Sequence, residues 1–525
     1  MNRAPATGAT RRVSDRLRRS RGRAAILAAL AFIFLSGLFS MDAGDWMITV
    51  LRGLAVGAVT FLVASGLSLI FGLMDVLNLA HGELFMLGAY IGWTVYVRPD
   101  TFIDVLFPLG LVVSVVLAAP LIDRFSRRIR IEGTARALVA VGAAVVGLAT
   151  AVWALTRFPL SIWHLENFAD TPVSNSLALD GGIQTVPAPA RFAGSALLPI
   201  VVLLIGVALV VLAFSLTSRT RPSPAPITWR RMAPAPTVAV VAFASYALND
   251  RVTEWLYTLG TNPRFLLAVA VASVGGFALG AAIEVALIRP LYDRPIYQLM
   301  ITLGLGFIVI ESVRVVWGRP GFTMPKPALS NGSGVGCPGE GLAGMFSGCS
   351  TVKILDTRIR TYNEVFVVAV GLVVLIAVTL LLRKTRIGMI IRAGVEDREM
   401  VEALGVNVRR VFTLVFGVGV GLAAFGGIIA APAIGLSVDM GAKMLLLALI
   451  AMAIGGLTSF PGAAAGAVLI GLLQQFVIKA GSTGIPLPWL DRPFKPSPSL
   501  VPVSGILLMI VVLLVVPRGL FGREE

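Results

Sequence analysis

Charge is scarce in this chain. Only 14% of its 525 residues are Asp, Glu, Lys or Arg, against 57% hydrophobic residues and a mean hydropathy of +0.87. A soluble protein of this size has too little polar surface to cover so much apolar material, whereas a bilayer supplies an apolar solvent for it. Cysteine and histidine are nearly missing, at two each: Cys337, Cys349, His81 and His164. No histidine neighbours the cysteines, which excludes a Cys/His zinc site, and no metal or cofactor motif is found elsewhere. The sequence has no GxxxxGK[ST] phosphate loop, so nucleotide hydrolysis is not expected of this polypeptide. One histidine beside one glutamate, with no serine or metal cluster, does not support an enzyme. His164 falls in a predicted exterior loop and reads as a solvated side chain. Short alternating apolar segments are missing too, which excludes a membrane β-barrel.

What the sequence does have is long apolar runs. Fourteen approach the length needed to cross a bilayer: about 24–40, 47–73, 80–97, 105–122, 137–156, 195–216, 236–257, 265–288, 298–317, 364–382, 411–432, 443–458, 462–480 and 501–516. The fold class is therefore an all-α polytopic membrane protein. Basic residues gather at alternate exits: Arg124, Arg127, Arg128 and Arg130 after the fourth run, and Arg219, Arg221, Arg230 and Arg231 after the sixth. Arg289 and Arg294 follow the eighth, Arg383, Lys384 and Arg386 the tenth, and Arg518 the last. The opposite loops are longer and poorer in arginine, so the positive-inside rule puts both termini in the cytosol. The net charge of +16 owes much to the tail 1–23, where eight arginines face one acid, Asp15. That distribution points to membrane orientation and anionic lipid, not to nucleic acid. The run at 24–40 is long for a cleaved signal peptide. Glycines four apart (Gly53 and Gly57, Gly276 and Gly280, Gly417 and Gly421, Gly462 and Gly466) predict closely packed helices.

Two runs depart from this pattern. The seventh contains Asp250, Arg251 and Glu254 and is expected to be short or interfacial. The second has no basic residue at its exit, only Asp75, His81 and Glu83. There Asn78-Leu79-Ala80-His81-Gly82-Glu83 lies between Met47–Phe71, whose single charge is Arg52, and Leu84–Val97, which has none. Ionisable groups placed so cost several kcal/mol if they face lipid, so they are expected at a cavity, a pathway or a partner. A break in the helix at that depth needs protein or water to satisfy its backbone. Asn78, His81, Gly82 and Glu83 are thus candidates for a translocation path or a helix break. They either hold the break together by hydrogen bonding neighbouring helix ends or touch the solute.

Two polar stretches stand out between runs. Arg383–Arg410 has at its centre Glu396-Asp397-Arg398-Glu399-Met400-Val401-Glu402-Ala403-Leu404, which reads as a short helix ended by Gly405. A helix that short needs something to pack on, so it is either a solvated connector or a docking element for a cytosolic subunit. Gly318–Tyr362 carries both cysteines, which on an extracytoplasmic side form a disulfide closing a small loop, or else remain free thiols.

In chain order, Ala80-His81-Gly82-Glu83 with Met86-Leu87-Gly88-Ala89-Tyr90, Arg289-Pro290-Leu291, Thr302-Leu303-Gly304 and Thr385-Arg386-Ile387-Gly388 leading to Ile391-Arg392-Ala393 form an ordered set. Asp397-Arg398-Glu399, Leu404-Gly405-Val406-Asn407, Gly455-Gly456-Leu457, Pro461-Gly462-Ala463 and Pro517-Arg518-Gly519-Leu520-Phe521-Gly522 continue it. The set resembles the membrane permeases of branched-chain amino acid ABC importers, the LivH type, over roughly 47–97 and 263–522. The resemblance implies that the loop 383–410, with Arg392, Asp397, Arg398, Glu399, Glu402, Ala403 and Gly405, is the coupling element that sits in a groove of the ATPase. It further implies two ABC ATPase subunits, an extracytoplasmic solute-binding protein, a second, related permease subunit and a bacterial inner-membrane location. The substrates it implies are leucine, isoleucine, valine or similar amino acids, with urea or short amides as the alternative. An ion-coupled transporter using His81 and Glu83 is the less favoured reading. The departure is 98–264, which lacks these motifs and holds four runs, an even number as the flanking topology requires. The expected organisation is a tail 1–23, a membrane segment 24–97, an insert 98–264 and a permease core 265–525.

Overall fold

The computed structural model describes residues 41–126, 133–163, 172–184, 186–187, 191–217, 232–333, 336–341, 343–396, 400, 403, 405, 407–484 and 492–521. The tail 1–23, the run 24–40, His164, and Asp397, Arg398, Glu399 and Glu402 of the polar loop lie outside the described residues. Among the described residues there are 9 helices long and apolar enough to cross a membrane and three shorter apolar ones, Pro234–Ala247, Met440–Gly455 and Leu500–Val515. The expected count of fourteen includes the run 24–40, which is not among the described residues. The chain divides into two compact units, one made of Met1–Trp93 with Phe265–Glu525 and the other of Thr94–Arg264.

The first unit is built around α1 (Ala43–Met74), 32 residues long and buried over most of its length. Its one mid-run charge, Arg52, is neutralised by Glu364, 3.1 Å away. The chain then turns at Asp75 and re-enters as α2 (His81–Val97).

The second unit comprises α3 (Pro99–Leu117), α4 (Ala119–Ser126), α5 (Gly133–Leu155), α6 (Pro172–Asp180), α7 (Leu197–Thr217), α8 (Pro234–Ala247) and α9 (Asn249–Thr258). Its core gathers Phe107, Leu111, Ala151, Ala154, Phe158, Leu203, Val207 and Ala242. Helices α5 and α7 approach to backbone contact through Gly147 and Gly206, where added side chains would come within 2.7 Å of the facing main chain. The seventh run is two helices, α8 and α9, broken at Leu248. Asp250, Arg251 and Glu254 give α9 an exposed charged face, whereas α8 is predominantly apolar.

The chain continues with α10 (Thr261–Ile283), which belongs to the first unit from Phe265 on, a π-helical turn Glu284–Ile288, a 3-10 turn Arg289–Leu291 and α11 (Pro295–Trp317). A small sheet follows: β1 (Gly339–Glu340) runs parallel to β2 (Thr351–Ile354), which pairs antiparallel with β3 (Thr357–Arg360). The hairpin turns through Leu355 and Asp356, both at positive φ, and faces Val352 and Ile359 inward as a buried pair. Cys337 and Cys349 are joined as a disulfide beside this sheet. Then come a π-helical turn Thr361–Phe366, α12 (Val367–Lys384), α13 (Arg386–Glu396), α14 (Val408–Ile434), α15 (Met440–Gly455), α16 (Phe460–Thr483) and α17 (Leu500–Val515).

Helix α1 is packed on both sides through glycine. Side chains added at Gly53 and Gly57 would lie 2.9 Å from the α-carbons of Leu472 and Val468 on α16. One added at Gly66 would strike the carbonyl of Gly419 on α14 at 2.2 Å. Only small residues allow main chains to come this close, and such packing is what holds helices together in an apolar solvent.

Candidate functional site

Asp75 ends α1 in the left-handed region, φ 53°, and the chain doubles back. His81, the first residue of α2, donates from Nε2 to the carbonyl of Val63 at 3.2 Å. Val63 is three turns before the end of α1, so α2 starts about 16 Å short of that end at the ordinary helical rise. The interruption expected around 78–83 is therefore a re-entrant one. Asn78 caps it, its Oδ1 accepting from the backbone N–H of Ala80 at 3.1 Å. From α11, Thr302 Oγ1 accepts from the N–H of Leu79 at 3.3 Å.

A second helix begins at the same level. Gly441, the second residue of α15, stands against Gly82: a side chain on Gly82 would meet the Gly441 carbonyl at 2.2 Å. Conversely, one on Gly441 would sit 2.2 Å from Glu83 Oε2. The starts of α2 and α15 thus meet at Gly82 and Gly441, with the carboxylate of Glu83 beside both. Helix N-termini carry partial positive charge and favour an anion there, which explains how a carboxylate is held inside an apolar bundle.

Asn78 and His81 are fully buried and Glu83 is 5% exposed. Asn78 Nδ2, His81 Nδ1 and Glu83 Oε2 have no hydrogen-bond partner among the described residues. Each buried polar atom left so costs about 1–3 kcal/mol. Three in six residues make this segment the densest cluster of unpartnered buried polar atoms among the described residues of the first unit.

The end of α1 connects this site to the polar loop. Leu69 and Leu73 of α1 pack with Ile391 of α13 and with Val408, Phe412 and Val415 of α14, forming one buried cluster. Ile70 and Val76 join Leu84, Ile283, Ile288, Phe416 and Val420 in the next. Of the loop candidates, Arg392 lies in α13, while Ala403 and Gly405 are exposed. Gly405 has φ +81° with open space around it, a conformation that glycine adopts at little steric cost. Asn407 then caps α14, its side chain accepting from the N–H of Arg410 at 3.2 Å.

Sequence reasoning missed a clasp at this end. Glu284, fully buried in the π-helical turn, accepts from Arg289 Nη2 at 2.8 Å and Nε at 3.2 Å. The hydroxyls of Thr413 (2.8 Å) and Tyr292 also donate to it. The clasp ties the turn after α10 to the first turns of α14. In the sequence Arg289 read as part of a basic exit and Arg289-Pro290-Leu291 as one of the ordered motifs, while nothing pointed to Glu284.

The family model described as the branched-chain amino acid transport system permease component matches residues 49–222 and 235–517. The high-affinity branched-chain amino acid transport system permease protein LivH of Escherichia coli (strain K12) is 27% identical over 290 residues, 55% of this chain and 82% of its own length. The corresponding permease protein BraD of Pseudomonas aeruginosa is 29% identical over 270 residues, 51% of this chain and 78% of its own length. The fructose import permease protein FruF of Bifidobacterium longum is 33% identical over 125 residues, 22% of this chain and 34% of its own length. No solved structure matches the chain. With the family model covering well over half of its residues, the chain belongs to the family of branched-chain amino acid transport system permease components.

Proposed function

We propose that this chain is the permease subunit of a bacterial ABC importer for branched-chain or similar hydrophobic amino acids, set in the inner membrane with both termini cytosolic. The family match over 49–222 and 235–517 carries the reading. On it, two separate ATPase subunits drive transport through the loop 383–410, an extracytoplasmic binding protein delivers the solute, and a second, related permease completes the pathway. The packing of α13 against the end of α1 supports this assignment, because a push on the loop reaches Leu69 and Leu73, and through them the re-entrant start of α2. Asn78, His81 and Glu83 are the proposed break residues beside the path. In this scheme Glu83, set against the N-termini of α2 and α15, holds the two half-helices in register.

The test is uptake by the assembled importer in proteoliposomes loaded with ATP, supplied with binding protein and labelled leucine. Accumulation that requires ATP, and survives collapse of the proton gradient, is the expected result. Accumulation driven by the gradient without ATP would falsify the assignment in favour of an ion-coupled carrier. Urea or acetamide displacing leucine in competition would assign the substrate to short amides instead.

A further inference from the structure

The second unit contains a buried cation with no counter-charge among the described residues. Arg264 is 2% exposed, and its Nε and Nη1 have no hydrogen-bond partner among the described residues. The groups acting on it electrostatically are the phenols of Tyr96 and Tyr257, not a carboxylate. Two acids of the same unit are already engaged. Asp100 accepts from Arg98 at 2.8 and 3.0 Å and from the hydroxyl of Tyr257 at 2.9 Å. Asp104 accepts from Asn249 at 2.8 Å.

Arg264 also occupies the first turn of α10, where the partial positive charge of the helix end disfavours a cation. Arginine does not escape burial by losing its proton, because its guanidinium stays charged in proteins. Burial, an unfavourable helix position and the lack of an acid all act against this residue, and each would be relieved by one negative charge. A buried charge is kept where a partner of opposite sign is supplied.

We propose that Arg264 binds a small monovalent anion, either a halide or the carboxylate of a small solute. This site lies apart from Asn78, His81 and Glu83 in the chain and does not depend on the transport reading.

The experiment measures thermal unfolding of the purified full-length chain at constant ionic strength and pH. The sodium salt of a bulky sulfonate buffer anion is replaced stepwise by chloride in one arm and by acetate in the other. A saturating rise of about 2 °C or more in one or both arms is expected for the native chain, because a ligand that binds only the folded state raises its melting temperature. A rise with acetate alone assigns a carboxylate, and a rise with chloride alone, or with both, assigns a general small-anion site. Arg264→Met should abolish the response while melting no lower than the native chain in the sulfonate salt, since the uncompensated charge is gone. Arg264→Lys should keep the response at a higher half-saturating concentration and serves if the methionine variant does not fold. Melting that is indifferent to both anions, or an undiminished response in Arg264→Met, overturns the proposal.

Discussion

Gly82 and Gly441 limit each other, and the candidate site depends on both remaining glycine. A methyl group on either would fall within 2.2 Å of the other's carbonyl or of Glu83. Backbone cannot swing aside as a flexible side chain can, so Gly82→Ala is expected to destabilise the fold by about 1–3 kcal/mol. Leucine uptake should fall with it. Gly304→Ala on α11 is the control, because nothing lies within 4 Å of that position, and it should melt and transport like the native chain. Equal behaviour of the two variants would remove the close approach from the account. Glu83 is tested separately. Glu83→Gln keeps the shape and an acceptor oxygen and should transport nearly normally if the residue only holds the break. Glu83→Ala should lower stability by about 1–3 kcal/mol as neighbouring polar groups lose what they had. If instead both changes slow transport at unchanged melting temperature, Glu83 touches the solute. His81 and Glu83 were legible in the sequence because charge is so rare in runs of this kind. Gly441 and Thr302 were not, since nothing local marks one glycine among 55 or one threonine in an apolar helix as facing them.

At the scale of elements, the clasp shows why part of the site stayed invisible. Glu284 and Arg289 are five residues apart, which in a regular α-helix sets side chains about 140° apart. The π-helical turn Glu284–Ile288 brings them onto one side, and no pattern of hydrophobic residues foretells it. The break of the seventh run was legible from Asp250, Arg251 and Glu254, and the re-entrant start of α2 from its ionisable pair. The length and order of most helices followed from apolar runs alone, because burial in lipid needs little else. Arg289→Ala leaves a fully buried carboxylate with only hydroxyl donors and is expected to cost roughly 3 kcal/mol. The double change Glu284→Leu with Arg289→Met should cost less than Arg289→Ala alone, since it removes the charge that would be stranded. Thermal unfolding of both variants decides, and a double variant that is the less stable of the two would show that the pair stabilises the fold outright. The polar loop offers the matching functional test. Gly405→Val strains a φ of +81° in open space, so folding should be little affected while substrate-stimulated ATP hydrolysis by the assembled importer drops. Unchanged stimulated turnover would remove Gly405 from the coupling assignment.

For the molecule as a whole, one continuous helical stretch links the two polar landmarks. Thr361–Lys384 contains 24 residues and leads from the disulfide-bearing sheet directly to α13 and the polar loop. At the helical rise this is about 36 Å, longer than the hydrocarbon core of a bilayer, so the landmarks lie on opposite faces of the membrane. Fixing the side of one therefore fixes the other. For the proposed cytosolic placement of the loop, Ala403, which is exposed, is the natural reporter. In the Ala403→Cys variant the disulfide ties up both native cysteines, so a single thiol is available for labelling. A membrane-impermeant maleimide should leave this thiol unmodified in intact spheroplasts and modify it after permeabilisation. In the native chain, Cys337 and Cys349 should resist the same reagent until reduced, then label in intact spheroplasts without permeabilisation. Labelling of the Ala403→Cys thiol in intact spheroplasts would invert the orientation. It would place the loop 383–410 beyond reach of any cytosolic ATPase, and the coupling proposal would fall with the topology.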